Sequence, residues 1–158
     1  MTRPSRHEVL MRQAQIVAER STCSRAHVGA VIAHDGRVVA QGYNGAPAGM
    51  PHCSHECKCE LLPDEDDEHA VWCPMGTPSP RHCKISVHAE VNAIAFAAKH
   101  GVATAGAVLF TTMAPCLPCS QLIINAGIIG VVYSKPYRYD EGIMLMMDAG
   151  LSVVMGVE

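Results

Sequence analysis

The sequence predicts an α/β domain, with a sheet of about five strands and helices packed on its faces. Three observations carry this. Helical and strand periodicities alternate in the order α-β-β-α-β-α-β-α-β, an Asp-Gly pair separates two β-branched runs, and 158 residues suffice for one core. No internal repeat is visible, and a single domain spanning 1–158 accounts for the chain.

"RHEVLMRQAQIVAERST" sets Val9, Leu10, Ile16 and Val17 among charged residues and reads as an amphipathic first helix. "VGAVIAHDGRVVAQGYN" then places Asp35-Gly36 between two strands, the two-residue signal for a tight hairpin. From Gly45 to about Arg81 the periodicity gives way to Pro, Gly, Cys and acidic residues, including "LPDEDDEHA". A loop of that length inside a compact domain needs something to tie it down. Cys53, Cys57, Cys59, Cys73 and Cys83 offer to do so through metal.

"HAEVNAIAFAAKHG" reads as the second helix, with Val91, Ile94, Ala95 and Ala98 at helical spacing and Gly101 as its stop. "AVLFTTM" is a strand, and "APCLPCSQLIINAGI" enters a helix through prolines and leaves it at Asn125-Ala126-Gly127. "IGVVYS" is a strand, "YDEGIMLMMDAG" the last helix and "LSVVMGV" the last strand. Met144, Met146 and Met147 in that helix fit adaptable core or subunit contacts.

Composition narrows the function. A formal net charge of −3, with 17% charged and 49% hydrophobic residues, argues against a nucleic-acid polymer as partner, while leaving room for a local basic patch that holds one phosphate. The start "MTRPSRHEVLMRQAQ" lacks the continuous apolar core of a secretory signal, and no segment has the run of about 20 apolar residues that spans a bilayer. No membrane association is expected, and a cytoplasmic location is. There, thiols stay reduced, so the eight cysteines and nine histidines read as metal ligands rather than disulfides.

His88, Cys116 and Cys119 supply the three nitrogen and sulfur ligands of a catalytic zinc, leaving the fourth position to water. In "PCLPC" the cysteines are three apart at a helix start, where both sulfurs face one way and the helix N-terminus favours thiolate. Glu90, two positions after His88, is placed to shuttle protons without being a ligand. A lone His or Glu at a helix start is ordinarily a surface residue, and a lone C-x-x-C can be redox-active. The combination is far more specific.

The spacing H-x-E…P-C-x-x-C is the pattern of zinc nucleobase deaminases. "HAEVNAI" with "TTMAPCLPCSQLIINAGI" resembles the cytidine deaminase superfamily, and "RSTCSRAHVGAVIAHDGRVVAQGYNGAPAGMPHC" is similar to its deoxycytidylate (dCMP) deaminases. The likeness covers most of the chain except about 57–81. It implies a cytidine deaminase-like three-layer α/β/α sandwich with a mixed sheet, a Cys/His-rich, zinc-braced insertion at about 45–84, and hydrolysis of dCMP to dUMP and ammonia, supplying the thymidylate precursor.

By the same resemblance His88, Cys116 and Cys119 bind zinc, Glu90 is the acid/base, and Asn44 in "GYNG" reaches the sugar. An amide that both donates and accepts suits a hydroxyl. For the phosphate, Arg25 is the first candidate and Tyr137 or Arg138 in "KPYRYD" the second. A structural zinc is implied on Cys23, Cys53 and Cys83, with His82 or Cys57 as fourth ligand. Cys57, Cys59, His69 and Cys73 are then a further site or simply reduced thiols. The relatives imply a homo-oligomer, commonly a hexamer, regulated by dCTP and dTTP with Mg2+ on the triphosphate. Phe96 and Lys99 look similar to the regulatory region, although Phe96 reads more simply as core and Lys99 as a helix-end charge.

Overall fold

The computed structural model describes residues 3–23, 26–50, 52 and 86–156. Over these it contains α1 (Arg6–Ala18), β1 (Gly29–His34), β2 (Arg37–Tyr43), α2 (Ala89–Lys99), β3 (Val108–Met113), α3 (Leu117–Asn125), β4 (Gly130–Lys135), α4 (Glu141–Asp148) and β5 (Ser152–Met155). The order is the expected one. Asp35 and Gly36 both take positive φ, 51° and 74°, the pair of left-handed residues that a two-residue hairpin requires. At the other end of the chain's first element, Ser5 and Glu8 close a capping box that starts α1.

The sheet runs β2-β1-β3-β4-β5. β1 is antiparallel to both β2 and β3, whereas β3, β4 and β5 are parallel, so the sheet is mixed. The parallel pairs need crossovers, and α3 and α4 supply them.

Alternation along the strands divides the core in two. Val31, Ala33, Phe110 and Val132 pack against Leu10, Met11, Ala14 and Val17 of α1. Their neighbours Ala30, Ile32, Leu109 and Val131 face the other way, into a cluster with Ala93 of α2, Ile123 of α3 and Met146 of α4. One helix on one face and three on the other make the three-layer α/β/α sandwich.

Two helix faces differ from the expectation. In α1, Leu10 and Val17 are buried, but Ile16 is 62% exposed and Met11 and Ala14 take its place. In α2 the buried stripe is Ala89, Ala93 and Ala97, while Ala95 and Ala98 face outward and Phe96 is 48% exposed instead of core. The reason is Gly42. A Cβ there would overlap the backbone of Ala89 and Ala93, so α2 lies directly on β2 and only alanines fit beneath it. Of the methionines, Met146 is fully buried and Met144 and Met147 are exposed.

Candidate active site

Three restraints fix the start of α2. Val87 and Gly45 exchange two backbone hydrogen bonds of 2.8 and 3.1 Å, Asn92 Nδ2 donates to the Tyr43 carbonyl at 2.7 Å, and Gly42 admits the helix backbone. The start of α3 is fixed by the end of β3, where the Ala114 N–H donates to the Lys135 carbonyl at 2.8 Å. Gly142 at the start of α4 packs so closely on Pro115 and Ser120 that a Cβ would collide with them. As a result two helix N-termini converge at the C-terminal end of β3.

The residues at those N-termini are His88 and Cys116, which occupy the N-cap positions of α2 and α3. Neither side chain caps its own helix. They turn toward each other instead. His88 Nδ1 lies 3.3 Å from Cys119 Sγ and 3.4 Å from Cys116 Sγ, and all three donor atoms lie within 4.8 Å of one another. Zinc bonds of about 2.0–2.3 Å place tetrahedral ligands about 3.5 Å apart, so the group fits Zn2+. It is the one cluster of this kind among the described residues.

The electrostatics suit a cation. Cys116 is held down to about 4 by the hydrogen bond with Cys119, against its own burial, with His88 assisting. Cys119 is pushed up, first by that same hydrogen bond and then by burial. Without a metal the two sulfurs thus share one proton, and a dication displaces it. His88 is raised by its hydrogen bond to Cys116. Both macrodipoles present their positive ends to the thiolates.

Glu90 is 4% exposed, on the first turn of α2. Burial pushes its carboxyl up to about 7, opposed by its own backbone N–H and by His88. A carboxyl poised there takes up and releases protons at neutral pH.

Glu90, His88 and Cys116 line a cavity of about 140 Å³ together with Asn44, Tyr137 and Arg138. The structure therefore brings to one place residues separated by 94 positions in sequence, from Asn44 to Arg138. The Arg138 guanidinium lies 5.4 Å from the ring centres of both Tyr137 and Tyr139 and donates to the Tyr137 hydroxyl at 3.3 Å. Cys23, a buried free thiol, borders the same cavity. A larger groove of about 840 Å³ lies by the hairpin turn, at the far end of β1 and β2, and has no His, Cys, Asp or Glu in its lining.

Phe96 and Lys99 do not line the cavity. Phe96 stacks on His100 at 4.4 Å on the exposed side of α2, and Lys99 is its exposed last residue. Arg25, the first phosphate candidate, lies outside the described residues. So do Cys53, Cys57, Cys59, His69, Cys73, His82 and Cys83, and with them most of the expected insertion.

The Asn44 amide is held by three hydrogen bonds. Its Oδ1 accepts from Ser21 Oγ at 2.6 Å and from the Val28 N–H at 2.8 Å, and its Nδ2 donates to the Ala26 carbonyl at 2.8 Å. The amide is thus largely engaged within the protein, while the residue lines the cavity. Ser21 was not legible as part of this site, because its partner is 23 residues away and a serine after a helix is unremarkable.

Fold and site together define a mixed-sheet α/β protein with a His/Cys2 group that fits zinc at converging helix N-termini. The chain belongs to the cytidine and deoxycytidylate deaminase zinc-binding family, whose model matches residues 4–135. Among its relatives, the ComE operon protein 2 of Bacillus subtilis (strain 168) is 40% identical over 138 residues, covering 87% of this chain and 64% of that protein. The deoxycytidylate deaminase of Mycobacterium phage D29 is 39% identical over 138 residues, covering 85% of this chain and 98% of the phage enzyme. The chain thus spans somewhat less than two thirds of the Bacillus protein and nearly all of the phage enzyme. The crystal structure of dCMP deaminase from cyanophage S-TIM5 in complex with dCMP and dUMP superposes with a TM-score of 0.76 at 30% identity, over 98% of this chain and 100% of that one.

Proposed function

We propose that the protein is a zinc-dependent dCMP deaminase, hydrolysing dCMP to dUMP and ammonia in pyrimidine deoxynucleotide metabolism. The observation that carries the reading is the buried Glu90 carboxyl beside the His88, Cys116 and Cys119 donor set, where Glu90, His88 and Cys116 line a cavity. Similarity to the phage D29 and S-TIM5 dCMP deaminases supports the substrate.

His88, Cys116 and Cys119 hold the metal. When bound, zinc supplies Lewis acidity that ionises water near neutral pH. Glu90 would accept a proton from the attacking water and deliver it to N3 of the pyrimidine, then accept the proton of the new C4 hydroxyl and pass it to the amine, which leaves as ammonia as the C4 carbonyl forms. Its burial keeps bulk water from competing for these transfers. Asn44 meets the deoxyribose, and Arg138 between its two tyrosines, with Arg25, meets the phosphate.

The reading extends to a second, structural zinc on Cys23 with Cys53, Cys83 and either His82 or Cys57, bracing the insertion at about 45–84. It also includes a cytoplasmic homo-oligomer, a hexamer by family resemblance, with dCTP and dTTP as effectors, Mg2+ on the triphosphate, and Phe96 and Lys99 near the effector. Among the described residues no helix is long and apolar enough to cross a membrane.

A panel assay of ammonia release on dCMP, cytidine and 5-substituted dCMPs, with and without dCTP, tests the substrate and its regulation. Turnover is expected on dCMP and not on cytidine. Equal activity on cytidine would refute the nucleotide specificity, and an unchanged rate with dCTP would refute the effector. Elemental analysis is expected to find two zinc ions per chain, and one would remove the brace.

A further inference from the structure

We propose that the groove between the N-terminal half of α1 and the hairpin turn is a binding site for the polyphosphate group of a small anionic ligand, held by Arg3, Arg6 and Arg37. The site shares no residue with the cavity at Glu90 and does not depend on the reaction proposed there.

The three cations of the groove come from three places. Arg3 belongs to the segment before α1, Arg6 is the first residue of α1, and Arg37 is the first residue of β2. Val9, Leu10 and Val38 supply apolar wall. Gly36 explains how two of the cations meet. A Cβ there would come within 3.3 Å of Cδ and Nη1 of Arg6, so the Arg6 side chain lies across the turn, next to the residue that precedes Arg37.

These like charges are gathered with no counter-charge beside them. α1, β1, β2 and the turn between the strands carry two carboxylates, Glu8 and Asp35. Both are turned to other partners. Glu8 accepts from the Ser5 N–H in the capping box, and Asp35 Oδ2 lies 3.3 Å from His34 Nδ1. Among the described residues no carboxylate lies within ion-pair distance of Arg3, Arg6 or Arg37.

Cations in a cleft with apolar walls focus a positive potential into it, and a bound anion offsets their repulsion. The guanidinium fork matches phosphate oxygens two at a time. Linked phosphoryl groups can meet several forks at once, where a carboxylate meets one. The volume of about 840 Å³ is in the range of small-ligand pockets, about 300–1,000 Å³. No aromatic ring lines the groove, so it lacks the stacking platform that a single-stranded nucleic acid uses. Nor is it the effector region assigned above to Phe96 and Lys99, because α2 packs on the opposite face of the sheet from α1.

Calorimetric titration of inorganic triphosphate into the zinc-loaded protein, with zinc content checked before and after, tests the assignment. One site per chain is expected, with affinity falling as salt is raised. Adenosine triphosphate, titrated in parallel, is expected to bind as well; tighter binding than inorganic triphosphate names a nucleotide as the source, and equal binding a free polyphosphate. Arg6→Gln and Arg37→Gln are each expected to raise Kd about three- to tenfold, as for the loss of one hydrogen bond. Gln13→Lys, which adds a cation to the lining, is expected to lower Kd. Arg138→Gln in the cavity and Lys99→Gln on α2 are expected to leave it within about twofold, being remote from the groove.

A Kd unmoved by both Arg6→Gln and Arg37→Gln would overturn the site, and so would loss of binding in Arg138→Gln or Lys99→Gln. An oligoglutamate peptide that binds as tightly as triphosphate would overturn the ligand class. Should the arginine variants not fold, Gln13→Lys decides, since a Kd that does not fall there contradicts an anion in the groove.

Discussion

Replacing Glu90 by glutamine keeps the shape of the side chain and removes its titration. In the metal-free chain the carboxyl sits at about 7, against an ordinary value of 4.5, because burial disfavours the charged form. An acid raised in the folded state favours folding only while both states are protonated, below pH 4.5. That contribution is lost as pH rises through about 7, since the unfolded chain ionises first. Linkage between these two values gives a cost of about 1 kcal/mol at pH 5 and of a few kcal/mol at pH 8. Glu90→Gln is therefore expected to gain about 2–3 kcal/mol over wild type between pH 5 and pH 8. Urea unfolding of both proteins in chelator at the two pH values measures the difference, which includes the relief of Cys119 from the Glu90 carboxylate that helps push it up. A gap that stays constant within about 0.5 kcal/mol, or that narrows at pH 8, would refute the assignment of a buried, raised carboxyl.

Other perturbations act on the scaffold. Gly42→Val places methyl groups where the Ala89 and Ala93 backbone lies, and the retreat of α2 is expected to cost about 1–3 kcal/mol and to weaken zinc binding in a chelator competition. Unaltered zinc affinity would dissociate this contact from the metal site. Ile123→Ala, at a fully buried position in the larger core, is expected to lose about 2–5 kcal/mol in urea unfolding. Ser5→Ala removes one half of the capping box on α1 and is expected to lose about 1 kcal/mol while dCMP turnover is unchanged, since the cap lies outside the cavity.

The elements were legible because local chemistry and tertiary context agree. Asp35-Gly36 can take the φ values of the hairpin turn, and Val, Ile and Phe alternate along the strands beneath two separate layers. The zinc group was legible because His88, Cys116 and Cys119 are residue types with few other reasons to stand at helix starts. The buried face of α2 was not. Periodicity weights Val91 and Ile94, whereas the close approach at Gly42 selects alanines, a constraint written on another element. Asn44 was picked out as a residue but not in its polarity, which depends on backbone groups of Ala26 and Val28 that carry no side-chain signal. For the same reason Ser21 left no trace in the sequence.

The central claim is that Glu90 moves the protons while His88, Cys116 and Cys119 hold the metal. The direct test is dCMP turnover by Glu90→Ala, expressed per zinc bound, beside wild type. The expected result is a full complement of zinc with turnover reduced by at least a hundred- to ten-thousandfold, roughly the range for losing a positioned acid/base. Turnover per zinc equal to wild type would contradict the account.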